Sequence, residues 1–307
     1  MIGFLGPVEY LTHHRGATHS VLLLPFWALV VAWLLAKLLR EPRGWRALYG
    51  VCALGIGAHI AGDLITSYGT MVLAPLSDRR FAWGTTFIID PWFSGLIVAG
   101  LAASAFLPRS RLPSIAGCAA VVAYVLLQAW LKHEALEFAS RHAASLGQAG
   151  AEVTAYPRAV SPFNWTVYVS DEHLHRYAHV NLARTQPRAA SPGDGWIAKL
   201  DAPFLPLGEA RWETRTRFGS ALEEREIARS AWESGALAFF RRFADKPAYD
   251  GITSGSTCVW FVDLRFMNPG REWLPFRFGA CREAPGGPWQ AYERAGPQAR
   301  ERLRTPG

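Results

Sequence analysis

Two short stretches hold the residues whose types and spacing could do chemistry. One runs Gly57-Ala58-His59-Ile60-Ala61-Gly62-Asp63-Leu64-Ile65-Thr66-Ser67-Tyr68-Gly69-Thr70. On a helix, His59 and Asp63 lie four apart and so share a face, one turn above each other. An imidazole and a carboxylate placed this way can serve one metal ion. The other stretch is Thr12-His13-His14-Arg15-Gly16-Ala17-Thr18-His19-Ser20, with three histidines, one arginine and three hydroxyl residues in nine positions. Neutral imidazole with carboxylate suits zinc or another borderline divalent ion, manganese included. Arg15 is no ligand, but its guanidinium suits an anionic group such as a phosphate. Thr18 and Ser20 could orient the ligands by hydrogen bonding. Asp90, before Pro91, has three readings: a further ligand, a general base, or the cap of the helix that follows. The competing reading of the histidines is an interfacial cluster that binds water and lipid head groups.

The elements that must position these residues are apolar. The chain has 307 residues, half of them hydrophobic, unevenly spread. Residues 1–133 hold ten Lys/Arg and five Asp/Glu, whereas residues 134–307 hold twenty-two and twenty. Four apolar runs, 21–39, 47–68, 88–107 and 114–131, lack the charged face of a water-exposed helix. Each approaches or reaches the length of about 20 residues that spans a bilayer. His59 and Asp63 sit inside the second run, where an ionisable pair is costly without partners. Lys37, Arg40, Arg43 and Arg46 follow the first run, and Arg109 and Arg111 follow the third. The positive-inside rule puts those loops in the cytoplasm. Residues 1–20, the loop 69–87, Asp90 and everything after 131 then share the opposite face. Arg79 and Arg80 oppose that assignment.

Beyond residue 134 a helical lead gives way to strand-like sequence. The stretches 164–169, 258–266 and 274–281 are rich in β-branched and aromatic residues, and Asn268-Pro269-Gly270 marks a turn. Residues 220–243 read as a helix with Ser220 as its N-cap. Cys258 and Cys281 could pair if this half lies in an oxidising compartment. His173, His175 and His179 make a weaker metal case, because they fall in a loop or strand. No phosphate-binding loop, dinucleotide fingerprint or nucleophile elbow occurs. The net charge of +7 is not drawn into a basic stripe, so no nucleic-acid partner is expected.

The motif His14-Arg15-Gly16-Ala17-Thr18-His19-Ser20, the stretch Gly57 to Thr70, Pro75 and Phe87-Ile88-Ile89-Asp90-Pro91 together resemble the YdjM-like family of bacterial inner-membrane proteins, over about residues 8–131. The His-x-x-x-Asp helix is more distantly similar to one in zinc-dependent phospholipase C. The resemblance implies His14, His19, His59 and Asp63 as metal ligands and metal-dependent hydrolysis as the chemistry, with a phosphoester as one substrate class. Family members carry a membrane segment ending in a Pro-Asp-x-Asp-like stretch ahead of the His-Arg motif. This sequence has no counterpart between Met1 and Thr12.

The expected fold is a membrane α-helical bundle of about four transmembrane helices (residues 1–133), a soluble α+β domain (134–290) and a flexible tail (291–307). The expected location is the bacterial inner membrane, with several passes and the soluble domain outside the cytoplasm. The expected partners are the lipid bilayer and a lipid-like or phosphoester substrate, with Arg15 and Asp90 acting at the reacting centre. The alternative is a non-enzymatic membrane protein whose His/Asp cluster fixes helix packing and whose outer domain binds a partner.

Overall fold

The structure is a computed structural model, and it describes residues 6–191, 193–253, 257–269, 275–284, 286–294, 296 and 300–304. Helix α1 covers Pro7–His13, α2 Leu24–Leu38, α3 Tyr49–Leu64, α4 Pro91–Phe106 and α5 Leu112–Ser145. Two compact units emerge: Thr12–Ile88, and Met1–Leu11 with Ile89–Gly307.

In the first unit, α2 and α3 pair through small residues. Ala28 and Ala32 are fully buried and meet Cys52, with Leu35, Tyr49 and Ile56 around them. Pro25 lies in the first turn of α2, where a missing N–H costs nothing. The turn between the two helices uses Gly44 at φ 68°, a conformation that a side chain would oppose. The outer faces keep Phe26, Trp33, Leu34, Val51 and Leu54 exposed. So much exposed apolar surface on two paired helices is unlike a water-soluble surface and suits lipid contact.

In the second unit, α4 and α5 approach closely at Gly100 and Gly117: a Cβ built on Gly100 would lie 3.1 Å from the Gly117 Cα. Among the described residues, α5 is the one helix that alone is long and apolar enough to cross a membrane; Pro7–His19 and α2 pass only when taken together, and α4 is apolar but shorter. The boundary expected at residue 133 falls inside α5, which runs on without a break. The reason lies in its four-residue spacing. Leu131, Ala135, Ala139 and Ala143 form a buried stripe that carries the helix onto the first β-sheet.

That sheet comprises β1 (Glu152–Pro157), β2 (Asn164–Ser170), β3 (Leu174–Asn181), the short β4 (Leu205–Pro206) and β5 (Trp212–Thr216), in the order β1-β2-β3, with β4 and β5 both on β3. All seven residues of β2 are buried. Trp165, Val167 and Val169 face the alanine stripe of α5, and Tyr168 joins Tyr156, Tyr177, Ala248, Val262 and Leu264 in a core shared with a second sheet. Helix α6 spans Trp196–Asp201, α7 Leu222–Glu233 and α8 Ala238–Phe243. The expected helix over 220–243 is therefore two helices, broken at Ser234 and Gly235. The second sheet is an antiparallel meander of β6 (Pro247–Thr253), β7 (Thr257–Asp263), β8 (Arg277–Arg282), β9 (Gln290–Arg294) and β10 (Arg300–Arg302). The tail expected to be loose thus supplies strand β10, paired with β9 through Arg300, Glu301 and Arg302. Cys258 and Cys281 stand opposite each other on β7 and β8, with Cα atoms 4.0 Å apart, and form a disulfide. Gly270 and Leu274, parts of the expected turn and strand, lie outside the described residues.

Candidate metal centre

The first unit brings the two motifs of the sequence together. His59 and Asp63 lie in the last two turns of α3. His19 ends a 3-10 turn over Ala17–His19, fixed by Trp27, whose indole N–H donates to the Ala17 carbonyl at 3.0 Å. Arg15 begins that connection with a positive φ of 57°, which turns the chain back over the end of α3. Ser20 then anchors the entry to α2. It is fully buried, and its hydroxyl donates to the Ala74 carbonyl at 2.5 Å and accepts from the Leu22 N–H at 3.1 Å.

The end of α3 would leave carbonyls without partners. The loop after it supplies donors: the Trp83 N–H reaches the Leu64 carbonyl at 2.7 Å, and the N–H groups of Thr85 and Thr86 reach the Ile65 carbonyl at 2.8 and 3.0 Å. Arg80 donates to the carbonyls of His14 and Gly69 at 3.2 and 3.3 Å. Its charge thus pins two loops together. Arg80 is a loop-anchoring residue to which the sequence alone assigns no role.

Among the described residues, one group could hold a metal ion: one ligand atom each from His19, His59 and Asp63, all within 4.8 Å of one another. His19 Nε2 lies 3.1 Å from His59 Nε2 and 3.2 Å from Asp63 Oδ2, and His59 Nε2 lies 3.9 Å from the same oxygen. Ligands of tetrahedral zinc at about 2.0–2.1 Å are separated by about 3.3 Å, so the two shorter edges match a shared ion and the third is slightly open. Asp63 Oδ2 is buried and makes no hydrogen bond of acceptable geometry, although His19 is close by distance. A buried carboxylate oxygen aimed at two imidazole nitrogens without such a bond is the arrangement that a cation completes. The donor set therefore fits a divalent ion.

The surroundings prepare these groups. Thr18 Oγ1 lies 2.8 Å from His19 Nδ1. With Nδ1–H donating there, the Nε2 lone pair faces Asp63 and His59. Burial, joined by the Arg15 charge, lowers the pKa of His14 and of His19 despite the opposing pull of Asp63, so both rings stay neutral near pH 7. Neutral imidazole is the ligating form. His59 is 65% exposed, which leaves one side of the group open.

Three expected site residues stand differently. The ring of His14 lies 6.2 Å from that of His19 and edge-on to Tyr68 at 5.3 Å, and it is not one of the three converging ligands. Arg15 is 5% exposed; its guanidinium pairs with Asp63 Oδ1 at 3.0 Å, donates to Thr66 Oγ1 at 2.7 Å, and lies over the Tyr68 ring. Asp90 caps α4: Oδ1 accepts from the N–H groups of Trp92 and Phe93, both at 2.9 Å, and Oδ2 accepts from the Tyr124 hydroxyl at 2.8 Å. Of the later histidines, His175 and His179 are partnered by Ser170 and Thr166 within the first sheet.

A family model covers the part of the chain that holds this group. Residues 2–135 match the YdjM inner membrane protein family. That bears out the resemblance read from the motifs. The chain is also 28% identical over 106 residues to the uncharacterized protein YfhP of Bacillus subtilis (strain 168), across 34% of this chain and 31% of that protein. The match therefore spans about a third of the relative's length. No solved structure matches.

Proposed function

We propose that this protein is a membrane-embedded, metal-dependent hydrolase acting on a phosphoester or lipid-like substrate at the bilayer surface. The observation that carries the reading is the convergence of His19 Nε2, His59 Nε2 and Asp63 Oδ2 around one point, open on the His59 side. Three protein ligands with an open position is the pattern of catalytic rather than structural zinc sites. A bound zinc or manganese ion would supply Lewis acidity and an activated water. The residues of this chain do the rest. Arg15 holds the Asp63 carboxylate in place from behind, and Thr18 fixes the orientation of His19. His14 completes the polar wall beside them. In this reading Arg15 acts through Asp63 rather than on substrate charge, and Asp90 acts through the start of α4.

The four apolar helices α2 to α5 are read as membrane spans, with the sheet domain outside the cytoplasm. Exposed apolar side chains on each helix, the basic loops after α2 and α4, and the Cys258–Cys281 disulfide all support that topology.

The test is hydrolysis of a chromogenic phosphodiester and of a short-chain phospholipid by detergent-purified protein loaded with zinc or manganese. Turnover is expected on at least one, lost with chelator and in His59→Ala. A second reading keeps the cluster structural, with no catalysis. It draws on the Arg15–Asp63–Thr66 chain, which ties the N-terminal loop to α3. Silence on both substrates from metal-loaded protein, with a destabilised His59→Ala, would favour it.

A further inference from the structure

The sheet domain carries a second polar feature, a cavity lined by charged side chains. This cavity, of about 770 Å³, lies between the β3/β5 side of the first sheet and the β6/β8 side of the second, within one compact unit. That is the size of pockets that take small organic molecules, about 300–1,000 Å³. Its wall includes four arginines, Arg188, Arg211, Arg215 and Arg277, against two acids, Glu213 and Asp250.

The placement of these charges follows from strand geometry. Side chains alternate across a strand, so Arg211, Glu213 and Arg215 share one face around β5 while Trp212 takes the other. Trp212 stacks on His142 of α5 at 3.8 Å, which commits its face to the core and turns the charged face toward the cavity. On neighbouring β3, Tyr177 stands opposite Glu213 and its hydroxyl donates to Glu213 at 2.7 Å. Across the gap, Asp250 is the extra residue of a β-bulge between Tyr249 and Gly251, a device that re-aims a side chain. Arg277 Nε donates to Asp250 at 2.8 Å, and Arg294 lies 3.7 Å from the same carboxylate. Asp250 is thereby neutralised inside the wall. Arg188 is balanced by Asp201 at 3.3 Å, while Arg211 and Arg215, both exposed, flank Glu213, and Arg215 also hydrogen-bonds the Tyr177 hydroxyl. His179, which also lines the cavity, adds no charge: burial and the nearby Arg158 push its pKa down to about 3.

We infer that this cavity binds a small organic oxyanion, its phosphate or carboxylate group held by Arg211 and Arg215 and its hydroxyl-bearing body set against Glu213 and Asn268. Guanidinium forks match such oxyanions in geometry as well as charge. Asp250 is neutralised by Arg277 and Arg294, so Glu213, which already accepts from Tyr177, is the acid that favours a ligand carrying a hydroxyl beside its anionic group. The site does not depend on the metal centre or on hydrolysis.

Isothermal titration of the full chain in detergent tests it, with glucose 6-phosphate and citrate as separate probes, after the metal centre has been stripped with EDTA and the chelator dialysed away. At least one probe should bind with Kd below about 1 mM. Arg211→Gln with Arg215→Gln should weaken binding at least about tenfold, the loss of one charge-assisted hydrogen bond or more. Both positions are exposed, and an unchanged melting temperature certifies that the variant is folded. Competition by phosphatidylglycerol but not phosphatidylcholine vesicles would give the oxyanion a lipid source; no competition would make it a free solute, and both results uphold the site. Absence of binding by both probes, or equal affinity in the folded double variant, would overturn it.

Discussion

Replacing Arg15 with leucine should destabilise the metal-centre unit more than any surface charge change. Arg15 is 5% and Asp63 13% exposed, and their charged atoms are 3.0 Å apart. Removing one partner of a buried pair leaves the other charge uncompensated, at a cost of about 3–5 kcal/mol. The same arginine donates to the Asp63 carbonyl and to Thr66 Oγ1, so two further hydrogen bonds, one of them to backbone, go with it. Because Asp63 keeps some contact with solvent, the lower end, about 3 kcal/mol, is the better figure. At about 2–4 °C per kcal/mol, the melting temperature should fall by about 6–12 °C. Tryptophan-fluorescence melting of metal-free protein in detergent reads this directly. The reasoning makes a second demand. Arg15→Leu combined with Asp63→Asn removes both charges, and so should lose less than the sum of the two single variants by at least about 1 kcal/mol. A loss below about 1 kcal/mol in Arg15→Leu, or strict additivity in the double variant, would refute the buried-pair account.

Further expectations concern the helices and the sheet domain. His179 should make the domain acid-sensitive. Its folded pKa of about 3 lies below the ordinary 6.5, so the unfolded chain binds the extra proton between those values. Stability is then full above pH 6.5 and falls by up to about 1.4 kcal/mol per pH unit on acidification, and His179→Gln should flatten that slope in urea titrations from pH 7 to 4. Asp90→Ala removes a cap with two backbone bonds and should cost about 1–2 kcal/mol, read as a lower melting temperature, whereas Asp90→Asn should retain much of it. Reduction of Cys258–Cys281, which closes a separation of 23 residues, should destabilise the sheet domain by about 3 kcal/mol, and the pair should resist alkylation in intact cells until a reductant is added. Cys258 and Cys281 alkylated without reductant would contradict the proposed extracytoplasmic side.

What the sequence disclosed and what it hid have physical reasons. The face shared by His59 and Asp63 is fixed by helical spacing, so four residues of separation sufficed to find it. The choice of His19 over His14 as their partner was not legible. It depends on the left-handed turn at Arg15 and the short 3-10 turn after it, which rotate one ring in and leave the other against Tyr68. Arg15 itself has the chemistry of a phosphate binder, and only its burial beside Asp63 gives it a different task. The length of α5 was hidden by composition: its apolar half ends near residue 131, yet the alanine stripe continues the same helix onto the sheet. Strand β10 escaped notice because three charged residues flanked by Pro and Gly resemble a solvated tail. They are held by pairing with β9 rather than by burial. The arginine cavity draws its residues from four separate strands and loops, so no local pattern announces it.

The proposed function rests on a divalent ion held by His19, His59 and Asp63. Elemental analysis of the full chain, dialysed with zinc and then against metal-free buffer in detergent, tests it most directly. Close to one zinc per chain is expected in the wild type and almost none in His59→Ala with Asp63→Ala, with both proteins folded by tryptophan fluorescence. Equal zinc content in the two would contradict it.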